Sequence, residues 1–197
     1  MTWRTHVLGG VASLWLLKAL PEGIGSGAAL NNAGALALAA ALGALLPDLD
    51  APRSKVQSLS LWGGGIQPFV LPSLLLHRAF GHRGLLHSAA GLVLFTLLFA
   101  LPLSLWLGWQ PAVALSLGYA SHLALDACTK SGIPAWYPDR RRRHLLPPAL
   151  RLVTGSAAED VVFALLLLPV LLLLLTNLQA STSRLVSSGA GGDGAGP

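Results

Sequence analysis

Residues 161–178 read Val-Val-Phe-Ala-Leu-Leu-Leu-Leu-Pro-Val-Leu-Leu-Leu-Leu-Leu-Thr-Asn-Leu, and no charged residue occurs between Asp160 and Arg184. An α-helix needs about 20 apolar residues to cross a bilayer. The stretch therefore predicts a transmembrane helix over 159–178. Four more apolar segments approach that length, at 5–20, 28–47, 86–107 and 111–129. Gly, Ser, His or Asp interrupts each of them, as in helices that face one another across small residues. A secretory signal peptide fits the first segment poorly, because His6 opens it and Lys18 lies inside it.

The whole chain agrees with this reading. Its 197 residues are 53% hydrophobic and 11% charged, against roughly 25% charged in soluble domains. That composition excludes a disordered chain and a water-soluble globule. The single cysteine, Cys128, excludes an intrachain disulfide. The expected fold is all-α, a polytopic membrane helical bundle of about five transmembrane helices plus one interfacial or re-entrant helix. The re-entrant element is placed at Pro68 to Phe80, after the Gly63-Gly64-Gly65 hinge. One membrane-embedded domain spans 1–180, and the Ser/Gly-rich residues 181–197 are expected to be a disordered tail.

Positive charge orients the bundle. With the N-terminus in the cytoplasm, Arg4, Arg53, Lys55, Arg78, Arg83, Lys130, Arg140 to Arg143 and Arg151 fall on the inner side. Only Lys18 and Arg184 fall outside. The positive-inside rule favours that arrangement, a multi-pass protein among membrane lipids. No nucleic-acid partner is expected.

Ionisable residues beside membrane spans are costly and mark functional sites. Here they share one depth. His6 opens the first span, and Asp48 and Asp50 close the second. His82 and His87 lead into the third, His122 and Asp126 end the fourth, and Glu159 and Asp160 open the fifth. All lie at the predicted cytoplasmic ends. His122 and Asp126 are four residues apart, so they share a helix face. Two acids at the end of a helix oppose its macrodipole and call for a cation. The expected metal ligands are His6, Asp48, Asp50, His82, His87, His122 and Asp126. Such a mixed imidazole and carboxylate set favours Zn²⁺, with Mn²⁺ or Fe²⁺ as alternatives. The number of donors allows one ion or two.

These residues fall in a series: His6-x3-Gly10, Pro47-Asp48-Leu49-Asp50, Gly81-His82-Arg83-Gly84-x2-His87-Ser88, and Gly118-x2-Ser121-His122-x3-Asp126-x2-Thr129-x2-Gly132. The series resembles the YdjM-type bacterial inner-membrane proteins, which are described as membrane-bound, metal-dependent hydrolases. It covers roughly residues 5–160. One departure is Leu86, where that family usually has Thr before the second histidine. The resemblance implies a metallohydrolase in a bacterial inner membrane and leaves the substrate open.

The resulting expectation is a membrane hydrolase acting at the cytoplasmic interface on a lipid phosphoester or ester bond, through metal-activated water. Asp50 or Glu159 would serve as general base, and Arg83 would stabilise developing negative charge. An ion or proton transporter is the first alternative, although the outer half of every span lacks ionisable groups apart from Lys18. A non-enzymatic membrane protein with a structural metal is the second, although such sites are usually rich in cysteine.

Overall fold

Leucine-rich segments and glycine-rich segments adopt different places in this fold. The computed structural model describes residues 1–19, 32–50, 70, 74 and 84–190, with side chains as far as Ser183 and only the backbone of Asp50. The re-entrant helix expected over 68–80 falls outside these residues, apart from positions 70 and 74. The helices are α1 (Trp3–Ala12), α2 (Leu14–Lys18), α3 (Ala33–Leu45), α4 (Ala89–Leu107), α5 (Trp109–Ala127) and α6 (Ala157–Ala190). Short 3-10 turns cover Leu46–Asp50, Leu85–His87 and Pro148–Leu150. Among the described residues there is no β-strand, only isolated bridges joining Thr129 to Leu152 and Ile133 to Arg143.

Two helices, α4 and α6, are long and apolar enough to cross a membrane. The other expected spans fold as α1 with α2, as α3, and as α5. The first two are short, and α5 carries His122 and Asp126. Among the described residues the structure thus shows an all-helical protein in which two helices, α4 and α6, are clear spans by length and composition. α4 opens on Ser88, whose hydroxyl accepts from the Gly91 amide at 3.1 Å, a favoured N-cap arrangement. It widens into a π turn at Thr96–Ala100 just before Pro102. Proline lacks an amide hydrogen and locally disrupts helical pairing.

α3 and α5 make the tightest contact. A methyl group at Gly43 would sit 2.0 Å from the Leu115 carbonyl oxygen, and one at Gly118 would sit 2.0 Å from that of Ala40. Only glycine permits backbones to approach so closely. Leu14, Leu17, Leu36, Ala40 and Ala114 fill the core above that crossing. α6 lies along α1, and the Trp15 indole of α2 donates to its Pro169 carbonyl at 2.7 Å. The Lys18 ammonium, beside them, donates to the Thr176 hydroxyl at 2.7 Å.

α6 continues to Ala190, into the segment expected as a tail, of which 191–197 lie outside the described residues. Ser181, Thr182 and Ser183 return their hydroxyls to the carbonyls of Asn177, Gln179 and Ala180. Those side-chain bonds let polar residues extend a helix that composition alone would end. Residues 128–156 join α5 to α6, with Ala135 accepting from the Ala89 amide at the base of α4.

Candidate metal centre

Four segments bring their polar side chains to one place. α1 supplies His6, the turn after α3 supplies Asp48, the turn before α4 supplies His87, and α5 supplies His122 and Asp126. The Gly43–Gly118 crossing controls this meeting, because His122 lies one turn beyond Gly118 on α5. The Tyr119 hydroxyl donates to the Leu86 carbonyl at 2.6 Å, which fixes the turn that carries His87.

The donor atoms lie close together. His122 Nε2 is 3.4 Å from His87 Nε2, 3.8 Å from Asp48 Oδ1 and 3.9 Å from Asp126 Oδ2. His87 Nε2 is 3.5 Å from Asp48 Oδ1 and 4.0 Å from Asp126 Oδ2. His6 Nε2 is 3.3 Å from Asp126 Oδ1, an oxygen that also accepts from the Met1 amino group. Two triads are close enough to hold an ion: His6, His122 and Asp126, and Asp48, His87 and His122. His122 belongs to both. The His6 and His122 rings stack at 3.7 Å with an interplanar angle of 15°.

Donor chemistry fits a metal. His122 Nδ1 lies 2.7 Å from the Ala44 carbonyl oxygen. A carbonyl can only accept, so Nδ1 carries a proton, and in its neutral form the ring points its Nε2 lone pair into the cluster. Histidine ligands are oriented by this same kind of outer hydrogen bond. A tetrahedral ion with ligands at about 2.0–2.1 Å places them roughly 3.4 Å apart. The observed separations of 3.4–4.0 Å are close to that. His6 Nδ1 is buried without a hydrogen-bond partner.

Four of the five side chains are sealed, with His6, His87, His122 and Asp126 at most 1% exposed. Asp48 is 26% exposed and gives the cluster its opening. Burial alone would raise the Asp48 carboxyl, but hydrogen bonding with His87 and the neighbouring imidazoles hold it well below the usual carboxylate range.

The remaining sequence candidates stand apart or fall outside the described residues. Neither His82 nor Arg83 is among those residues, and of Asp50 only the backbone is. Glu159 is buried but belongs to neither triad. Its Oε1 accepts from the Thr2 amide at 2.5 Å and the Thr5 hydroxyl at 2.7 Å, while Oε2 accepts from the Gly155 amide at 2.7 Å. With both oxygens engaged, Glu159 fastens α1 to α6 and so sets the position of His6. Sequence reasoning missed three supports: the Ala44 carbonyl, Thr5 and Tyr119. A buried tyrosine in an apolar helix is the only one of these with a readable signal.

Comparison with known proteins agrees with the series of motifs. The family model described as YdjM inner membrane protein matches residues 1–186. The inner membrane protein YdjM of Escherichia coli (strain K12) is 40% identical over 110 residues, covering 54% of this chain and 50% of that protein. The same figures hold for its Shigella flexneri counterpart. The chain thus spans about half the length of these curated relatives. An uncharacterized Bacillus subtilis (strain 168) protein, YvsG, is 33% identical over 146 residues, covering 74% of this chain and 78% of its own. No solved structure matches significantly. With nearly its whole length matched by the family model, the chain belongs to the YdjM inner membrane protein family.

Proposed function

We propose that the protein is a membrane-bound, metal-dependent hydrolase whose ion is held by Asp48, His87, His122 and Asp126. The observation that carries this reading is the buried convergence of imidazoles and carboxylates on the fixed Nε2 of His122. Only one His122 nitrogen remains for ligation, so this side chain serves a single ion. Zn²⁺ suits the donor set best, with Mn²⁺ or Fe²⁺ as alternatives. A bound divalent ion would supply Lewis acidity and lower the pKa of a water toward neutrality.

The residues divide the remaining work. His6 holds Asp126 through Oδ1 and so directs Oδ2 toward the imidazoles. Asp48, the exposed member, faces the side from which substrate arrives. Asp50, two residues on in the same turn, is assigned as general base. Arg83 is assigned to the negative charge that develops on the attacked group. Glu159 acts at a distance by anchoring α1.

A site at the membrane boundary meets lipid head groups first, so a lipid phosphoester or ester is the proposed substrate. In the full topology, α1 with α2, α3 and α5 join α4 and α6 as a five-pass bundle, and the N-terminus and cluster face the cytoplasm. The concentration of Arg and Lys on that side supports this orientation.

The test is metal analysis of purified protein beside hydrolysis of a broad lipid panel with and without added Zn²⁺ or Mn²⁺. Stoichiometric metal in wild type, lost in His122→Ala and Asp48→Ala together with hydrolysis, is the expected result. Unchanged metal in both variants, or metal-loaded protein that cleaves no lipid, overturns the reading.

A further inference from the structure

Beyond the His122 cluster, the other side of α5 carries a long apolar groove. Its upper part, about 540 Å³, runs between α4 and α5 and is lined by Leu92, Thr96 and Ala100 facing Ala112, Ser116 and Ala120. Its lower part, about 270 Å³, shares Leu92 and Ala120 and continues past Ala124 and Ala127 to Arg143. The shared walls make one furrow. The polar atoms in its upper wall satisfy each other, with Thr96 Oγ1 donating to Ser116 Oγ at 3.3 Å and Ser116 Oγ to the Ala112 carbonyl at 3.0 Å. The lining is therefore hydrocarbon almost throughout.

The furrow follows α5 from Trp109 to Ala127. At 1.5 Å per residue that is about 27 Å, close to the roughly 30 Å hydrocarbon thickness of a bilayer. One wall, α4, is itself long and apolar enough to span the membrane. Ala120 and Ala124 lie two residues from His122, about 200° around the helix, so the furrow and the metal cluster occupy opposite sides of α5.

Charge appears only at the lower end. Arg143 is held there by its backbone, which exchanges both bridge hydrogen bonds with Ile133 at 2.8 and 3.1 Å. Its guanidinium is half-exposed and lies 3.7 Å from the exposed Asp139. An exposed ion pair of this kind is worth about 0–1 kcal/mol, so a phosphate can readily take its place. Lys130 and Arg140 to Arg142 belong to the same segment and give the mouth a positive surroundings.

We propose that this furrow is a binding site for one anionic phospholipid, with an acyl chain between α4 and α5 and its phosphate on Arg143. One acyl chain spans about half of the roughly 30 Å hydrocarbon thickness, so it fills the half of the furrow nearest Arg143, and the single charged end fits the headgroup. The proposal stands apart from the hydrolase reading, since it uses none of the cluster residues.

The test uses full-length protein equilibrated with mixed phosphatidylglycerol and phosphatidylcholine vesicles, then released for native mass spectrometry. Wild type is expected to retain one phosphatidylglycerol in preference to phosphatidylcholine. Arg143→Gln should lower phosphatidylglycerol retention about fivefold, the weight of one basic side chain at an anionic surface, and lower phosphatidylcholine retention less, because its choline offsets the phosphate charge. Ala120→Phe should obstruct the furrow and lower retention of both lipids, while metal content stays at the wild-type level in either variant. Equal retention of the two lipids by wild type overturns the proposal. So does undiminished phosphatidylglycerol on Arg143→Gln, or a lipid-free dimer whose α4–α5 faces crosslink to each other.

Discussion

Helices α5 and α6 are both rich in aliphatic residues, yet they direct them oppositely. α6 leaves Leu165, Leu168 and Leu174 more than half exposed. α5 buries Gly118, Tyr119, His122 and Asp126 instead. In water this would be inverted. In hydrocarbon a leucine gains little by turning inward, because lipid tails are as apolar as its neighbours. Small residues gain close backbone contact, and ionisable residues gain partners that lipid does not offer. The leucines of α6 therefore hold the protein in its solvent, while the polar side of α5 defines the site.

The largest expected effect comes from the helix that buries its polar groups. His122→Ala removes the donor shared by both triads. Metal affinity, measured by competition with a chelator, should fall by more than the roughly 10–100-fold typical of outer-shell changes. Gly118→Leu strikes the packing that brings His122 into place. Its side chain has no room beside the Ala40 carbonyl, and overpacking of this kind costs about 1–3 kcal/mol. Thermal unfolding in detergent should fall accordingly, and metal retention with it.

Glu159→Gln tests the link between α6 and the cluster. It replaces one of two oxygens that accept three hydrogen bonds, with an expected cost of about 1–3 kcal/mol. Hydrogen exchange should quicken at the amides of residues 2–6, and metal binding should weaken less than in His122→Ala. Leu168→Ala, on the exposed side of α6, should stay within about 0.5 kcal/mol of wild type and keep its metal. A large loss there would break the contrast between the two helices.

Much of this arrangement can be read in the sequence because charge is conspicuous in an apolar chain. His6, Asp48, His87, His122 and Asp126 stand out against their surroundings, and the structure gathers all five. Their supports are less visible. The Ala44 carbonyl is main chain, and nothing in an alanine marks it as the group that sets a histidine tautomer. Glu159 reads as a base from its position among acids, but the tertiary contact with Thr2 and Thr5 engages its oxygens. The helix runs past 181 for a local reason, since Ser and Thr can bond back within a helix as well as leave it. Span number is harder to read, because α1, α2 and α3 draw on helix–helix contact as well as length.

X-ray absorption at the metal edge of Zn²⁺-loaded protein addresses the central claim directly. The account predicts one ion per chain, with nitrogen and oxygen ligands at about 2.0–2.1 Å and the multiple-scattering signature of two imidazoles, both weakened in His87→Ala. A metal shell without imidazole scattering, or zinc bound only in trace amounts, would contradict it.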